Sequence, residues 1–355
     1  MTFTRAATAG IRKEKPIPER KLNILFTCSG RRVALLKAFR SAMEQLGVIG
    51  KLVASDVTDS SPTFHFADEG IAVPRVGRLE YMPALIDIVK QHDIGLLVPL
   101  TDLDLRSLSR QQDKFVELGC TVMIAPEETV AVCRDKTRTN EIVSEAGLAQ
   151  IETHTLQEFR ANPFYPCFVK PIRGSASVGA CVIENSKQLR SHVSKHGDLL
   201  VIQEQIVGPE YTIDVYRGRD GQVHSVVPRQ RLAIRSGEVE KAVTIKDEEL
   251  ISQATRLVSN LSGLWGVCCC QCRRDDTGTI RFFEVNPRFG GGAPLSIAAG
   301  ANLPLYLLQE VLGEPITAEC GQFTENLLMM RYDEAVFNQV DRPDQLPGYK
   351  YPFSH

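Results

Sequence analysis

The chain has 355 residues, 43% hydrophobic and 24% charged, the composition of an ordinary globular protein with room for two or three packed units. Its formal net charge of −2 excludes a global basic field that would draw it onto nucleic acid or an anionic membrane. There is no apolar run long enough for a membrane span, and the ten cysteines are not set in a small secreted framework, so a reducing, cytoplasmic setting is expected.

Residues 1–21 are basic and polar, including Arg5, Arg12, Arg20 and Lys21. They lack the apolar stretch of a secretory signal and read as a disordered leader. From residue 22 onward, apolar runs alternate with helical periodicity. Strands are expected at 22–28, 51–56, around Ile71–Val73, 94–100 and 121–126. Helices are expected after Ser29-Gly30, with Val33, Leu36, Phe39, Met43 and Leu46 on one face, and at 80–92 and 103–118. This alternation predicts an α/β unit over 22–128, a parallel, doubly wound, Rossmann-like sheet. Ligands in such sheets meet the carboxyl ends of the strands. Three candidate contact points lie there: Ser29-Gly30-Arg31-Arg32, Asp56 and Thr101-Asp102. The first has one glycine where the dinucleotide fingerprint needs three. It is either an anion cradle at a helix start or a pair of solvated arginines.

The remaining chain holds the chemistry-bearing patterns. Residues 170–179, KPIRGSASVG, place Lys170 at a strand end before a loop of small residues that includes Gly174, Ser175, Ser177 and Gly179. Small side chains let backbone N–H groups and hydroxyls close over a polyphosphate. Strands flank this loop, unlike the GxxxxGK[ST] loop, which opens a helix. Residues 201–215, VIQEQIVGPEYTIDV, form two strands about Gly208-Pro209, with Glu204 and Glu210 beside the turn. Arg229, Arg231 and Arg235 follow, either a binding cluster for carboxylates or phosphates or a solvated surface. Cys268, Cys269, Cys270 and Cys272 share one predicted strand; neighbours there point to opposite faces, so they cannot converge on one metal. Residues 283–292, FEVNPRFGGG, are the most specific signal. Glu284 and Asn286 project from one strand face and can hold hard cations, with Arg288 next in line and Gln271 on the preceding strand.

Lys136, the 170–179 loop, the 201–215 hinge and the E-x-N-P-R string at 284–288 together resemble the ATP-grasp superfamily. More closely, the chain is similar to short proteins related to one synthetase half of the carbamoyl phosphate synthase large subunit, over residues 22–330. The resemblance implies a pre-ATP-grasp domain at 22–128, then an α+β ATP-grasp unit with a small subdomain at 129–200 and a large one at 201–330. Residues 331–355 are left as a C-terminal extension. It implies that Lys136 and Lys170 contact ATP phosphates under the Gly174–Gly179 loop, and that Gln203, Glu204, Gln205 and Ile206 line adenine. It further implies that Glu210 binds ribose, that Glu284, Asn286 and Gln271 hold two Mg²⁺ (or Mn²⁺) ions, and that Arg288 stabilises an acyl phosphate. Gln271 departs from the acidic residue at that position in most ATP-grasp ligases, though it resembles the synthetase subfamily itself, and it lowers the negative charge of the metal site.

The implied activity is an ADP-forming ligase that couples a small acid to an amine. The alternatives are phosphorylation of bicarbonate or carbamate, or a weakly catalytic ATP-binding regulator. No nucleic-acid or membrane partner is expected, and a homodimer is left open.

Overall fold

In the computed structural model, which describes residues 20–172, 179–235 and 237–340, the apolar runs of the first third hydrogen-bond into one parallel sheet. Its strands are β1 (Asn23–Thr27), β2 (Leu52–Asp56), β3 (Glu69–Ala72), β4 (Ile94–Pro99) and β5 (Thr121–Val122), in the order β3-β2-β1-β4-β5. Every residue of β1 is buried. Such two-sided burial explains why the strands read as unbroken apolar runs rather than as alternation. Helix α1 (Val33–Gln45) turns Leu35, Leu36, Phe39, Ala42 and Met43 inward, and α2 (Tyr81–Gln91) returns the chain to β4. Strand order reverses beside β1, so the loops after β1 and β4 open onto one crevice.

Three local expectations change. The helix expected over 103–118 breaks at Gln111 into α3 (Leu105–Arg110) and α4 (Gln112–Val116), because Gln111 leaves helical geometry at φ −117° and ψ 17°. The strand expected over 121–126 keeps a ladder only at Thr121–Val122; Met123–Ala125 stay buried at the sheet's edge. Arg20–Lys21, read as the end of the leader, pair in parallel with Val48–Ile49.

Helices α5 (Glu127–Arg134) and α6 (Lys136–Glu145) lead to a second sheet. It consists of β6 (Thr153–Thr155), β7 (Cys167–Pro171), β8 (Cys181–Ile183) and β9 (Leu200–Glu204), antiparallel in the order β8-β7-β9-β6. Helix α7 (Leu156–Ala161), opened by a Thr155–Glu158 capping box, and α8 (Ser186–His196) cover it. Leu156, Phe159, Val169, Leu189 and Ile202 form a core of its own.

The third sheet has six antiparallel strands: β10 (Glu210–Arg217), β11 (Val223–Arg235), β12 (Glu238–Thr244), β13 (Gly266–Arg274), β14 (Ile280–Asn286) and β15 (Leu328–Met330). Their order is β14-β13-β10-β11-β12-β15. One face packs with α9 (Glu248–Ser259), whose Leu250, Ala254, Leu257 and Val258 share a core with Tyr211, Ile213 and Val215. Cys268, Cys270 and Cys272 lie in that core, whereas Cys269 sits in register with Asp214. All ten cysteines are free, and among the described residues no His/Cys/Asp/Glu group of three or more could hold a metal. Helices α10 (Ala293–Ala298) and α11 (Leu303–Val311) pack on α1. Phe289 meets Phe39 edge-to-face at 5.6 Å, tying this sheet to the first one. Residues 331–340 carry no helix or strand and are largely exposed. Among the described residues no helix is long and apolar enough to cross a membrane.

Under the α10 end of the sheet lies a fully buried ion pair. Arg229 of β11 donates through Nε (2.8 Å) and Nη2 (3.0 Å) to Asp214 of β10, and Ser296 of α10 donates to the same carboxylate at 2.6 Å. Gly292 makes room for it: a Cβ there would stand 2.2 Å from Arg229 Nη1. Removing one partner strands the other charge in the core, so Asp214→Ala should cost about 3–5 kcal/mol of stability in denaturant titrations. Replacing both residues with apolar side chains of matched volume should cost less than that single change. A near-neutral Asp214→Ala would show that the pair is not what holds α10 to the sheet.

Candidate active site

The period-two alternation of the third sheet sends one set of side chains into its α9 core and the other toward the second sheet. On the second face, Thr212 of β10 is in register with Arg229 and with Gln271, and Gln271 with Glu284. Glu210 faces Arg273 in the same way. A register shift on β14 opposite Gln271–Cys272 inserts Phe283 as an extra residue. Phe282 thereby stays in the core while both Phe283 and Glu284 reach the open face.

Between this face and the second sheet lies a cavity of about 370 Å³. The second sheet contributes Phe168, Lys170, Val182 and the β9 end, Gln203 to Ile206. The third contributes Glu210, Arg231, Gln271, Arg273, Phe283 and Glu284, and Lys136 enters from the start of α6. Its lining is mixed: Ile151, Phe168, Val182 and Phe283 are apolar, the two lysines and Glu284 are charged, and the Lys170 ammonium lies near both aromatic rings. A smaller adjoining cavity of about 110 Å³ shares Lys136 and Glu284 and adds Asn286, Asp102 and Arg134. It therefore leads from the first cavity toward the crevice of the parallel sheet.

Lys170 is buried, with its ammonium 5.5 Å from the Phe283 ring centroid and 6.0 Å from that of Phe168. Burial pushes its pKa down from 10.5 to about 7; the Lys136 charge adds to this and Glu284 opposes it. Lys136 is also lowered, chiefly by burial, against the pull of Glu284. The Asn286 side-chain amide donates to Glu284 Oε1 at 2.9 Å, which leaves the amide oxygen for another partner. At the hinge, Glu204 Oε1 accepts from the Glu152 N–H at 2.9 Å, and Gln203 donates to Thr153 at 2.8 Å. Both side chains brace β9 against β6.

The expected arginine cluster does not form. Arg229 is locked onto Asp214 inside the protein, and half-exposed Arg235 pairs with Asp333 and Glu240. Arg231 lines the larger cavity, where its Nη1 donates to Glu210 at 2.5 Å and to Gln271 at 3.2 Å. Asp214 and Glu210, four residues apart on β10, hold Arg229 and Arg231 in separate pairs, and Asp333 and Glu240 hold Arg235 in a third place. Glu210 is claimed twice, since Arg273 donates to its other oxygen. Arg288 makes a two-pronged pair with Asp102 at 2.6 and 3.1 Å. Burial opposes its charge most, but Asp102, Cys269 and Glu284 together outweigh this and raise its pKa. The strand-end candidates are likewise engaged: the Gly30 N–H donates to Asp56 at 2.5 Å, and Arg32 pairs with Glu238 at 3.1 Å. Gly174, Ser175 and Ser177 lie outside the described residues, while Gly179 adopts φ +71° at the end of that loop. Phe283 and Arg273 were missed in the sequence because a bulge and a cross-strand register decide their direction.

Two family models match the chain: "PylC-like, N-terminal domain" over residues 24–123, and "ATP-grasp in the biosynthetic pathway with Ter operon" over residues 196–335. The chain is similar to the D-alanine–D-alanine ligase of Aquifex aeolicus, 24% identical over 172 residues that cover 44% of this chain and 59% of that protein. It thus spans less than two thirds of this curated relative. Among solved structures it resembles an L-amino acid ligase from Bacillus licheniformis, with TM-score 0.68, 21% identity and coverage of 86% of this chain and 78% of that one. It also resembles N5-carboxyaminoimidazole synthetase from Staphylococcus aureus complexed with ADP, with TM-score 0.71, 16% identity and coverage of 88% and 83%. At such identities the structural likeness is one of fold.

The lowered pKa of Lys170 has a sign that can be measured. The native state binds fewer protons than the unfolded chain between pH about 7 and 10.5, so stability should rise with pH from about 7 toward 9. Above about 9 the buried thiols Cys28, Cys120 and Cys269, each pushed up by burial to about 12, reverse the trend. Denaturant midpoints for Lys170→Met should lose the rise between about pH 7 and 9. An undiminished rise would place the responsible group elsewhere.

Proposed function

We propose, for a chain that belongs to the ATP-grasp superfamily, the activity of an ADP-forming ligase that phosphorylates a small carboxylic acid with ATP and transfers the acyl group to an amine. The observation that carries this reading is that Lys136, Lys170, Glu284 and the hinge Gln203–Ile206 line one cavity together with the apolar side chains of Ile151, Phe168, Val182 and Phe283. A nucleotide likewise joins an apolar base to a polyanion. The ADP complex of the Staphylococcus aureus synthetase supports it through the shared fold, and the amino-acid ligases supply the reaction class.

The base would lie between Phe168, Val182 and Phe283, against the β9 backbone, with ribose near Glu210. Lys136 and Lys170 would meet the phosphates, and Lys170 would gain its proton as the polyanion arrives. Glu284 and Asn286 present the oxygen donors that suit Mg²⁺; when bound, that ion would draw charge from the transferred phosphoryl group. The acid would enter through the smaller cavity beside Asp102 and Arg288. There its oxygen attacks the γ-phosphorus, the bond to the β-phosphate oxygen breaks and ADP leaves. The amine then attacks the acyl carbon, phosphate departs, and the amine's proton is lost to solvent or a base. Positioning and charge neutralisation supply most of the catalysis in such a transfer. On this reading the chain divides into units at 22–128, 129–200 and 201–330.

Amino acids and small acids screened with Mg-ATP should release ADP and phosphate. Glu284→Gln should lower that release by about a hundredfold or more with the fold kept, since the site loses its metal-binding carboxylate. With acid and Mg-ATP but no amine, hydroxylamine should trap a hydroxamate. AMP and pyrophosphate as products, or a fully active Glu284→Gln, would refute the reading.

A further inference from the structure

The oxygen donors on the open face of the third sheet are already apportioned. Arg231 spans Glu210 Oε1 at 2.5 Å and Gln271 Oε1 at 3.2 Å, and Arg273 takes Glu210 Oε2. The Arg231 side chain is only 9% exposed, so this clamp is built in and not a surface accident. Its Nη2 donates to the Gly237 carbonyl at 3.3 Å, and its buried Nε has no partner among the described residues. Gln271, a neutral amide, therefore offers no free carboxylate, and its carbonyl oxygen already accepts from a fixed cation. Glu284 and Asn286 remain: one carboxylate and one amide oxygen.

A hard dication takes six or so oxygen ligands, and phosphate oxygens and water can complete a shell begun by Glu284 and Asn286. A second dication beside Gln271 would lack an anionic protein ligand of its own and would sit against the Arg231 guanidinium. Like charges a few ångströms apart in a partly dry site repel strongly. We propose that this site takes one divalent cation with its nucleotide, and that Arg231, clamped between Glu210 and Gln271, supplies the second positive charge beside the phosphates. Arg231 is thus a built-in replacement for a metal ion, and its unpartnered Nε–H is a donor that a phosphate oxygen would satisfy. The inference rests on the nucleotide reading and narrows it, since two cations were expected from the sequence. Of the two ligand classes that the sequence left open for Arg231, carboxylates or phosphates, it selects the nucleotide's phosphates.

Bound Mn²⁺ is counted by electron paramagnetic resonance on the full chain with a saturating non-hydrolysable ATP analogue. One Mn²⁺ per bound analogue is expected; two would overturn the proposal. The double variant Arg231→Met/Gln271→Glu should gain a second Mn²⁺, and a count that stays at one would show that these residues are not what excludes it. Arg231→Met alone should weaken analogue binding about ten- to a hundredfold, and Arg231→Lys by less, because the charge is kept but the fork is lost. Equal affinities for parent and Arg231→Met would also overturn it. Near-UV circular dichroism checks that the variants fold; if they do not, the count on the parent chain decides. Analogue binding with two Mn²⁺ leaves the ligase reading standing and removes only this inference, whereas no analogue binding at any Mn²⁺ concentration removes both.

Discussion

Alternation along the six-stranded sheet is the constraint on which the rest depends. The same strands must bury one face under α9 and expose the other to a polar cavity, so a shift of one residue would exchange cysteines and valines for carboxylates and guanidiniums. The β13 run 268–272 shows how tightly this is set: Cys268, Cys270 and Cys272 fill the core while Gln271 faces the cavity. The thiols are small, apolar occupants of a close-packed interior. The Cys272 thiol is raised by that burial, and the Cys268 thiol by its hydrogen bond with Cys270 and then by burial, which argues against a role as nucleophiles or ligands.

The parallel sheet enters the site through charge. Asp102, in the loop after β4, holds Arg288 in the loop after β14, and its backbone carbonyl accepts from Arg134 at the end of α5. Arg32, after β1, reaches Glu238 on β12. Both bridges start at the switch point of the parallel sheet, where a ligand crevice is expected on topology alone. Edge-to-face packing of Phe39 on Phe289 and α1 on α10 and α11 puts apolar area behind these bridges. The smaller cavity, beside Asp102, is walled by the loop after β4, by α5 and α6 and by the end of β14, elements held together by packed side chains.

Much of this was legible in the chain. The two-sided apolar runs gave the parallel sheet, because burial on both faces leaves its mark in composition. The E-x-N-P-R string and Lys170 marked the site, because hard-cation and phosphate chemistry restrict residue choice. What stayed hidden depends on register. Strand spacing shows that Arg229 and Arg231 share a face, yet which carboxylate each meets is set by β10, where Asp214 and Glu210 stand two turns of the pleat apart. The direction of Phe283 depends on an inserted residue that no periodicity reveals. The break at Gln111 is hard to place in advance, since Leu108 and Phe115 keep helical spacing across six polar residues and nothing marks which of those residues leaves the helix.

The choice between arginine and lysine across the site follows from one physical difference. A guanidinium cannot shed its proton, so an arginine buried in an empty site must carry its own counter-charge. Arg229, Arg231 and Arg288 obey this: each lies on a carboxylate of the protein itself. A lysine can relieve burial by becoming neutral, and Lys170, held between two aromatic rings with its pKa near 7, is placed to do so. In the proposed nucleotide complex, the arriving polyanion would restore its charge where that charge is needed. The arginines then act as a permanent electrostatic frame, and the lysine as the part of the site whose charge depends on occupancy.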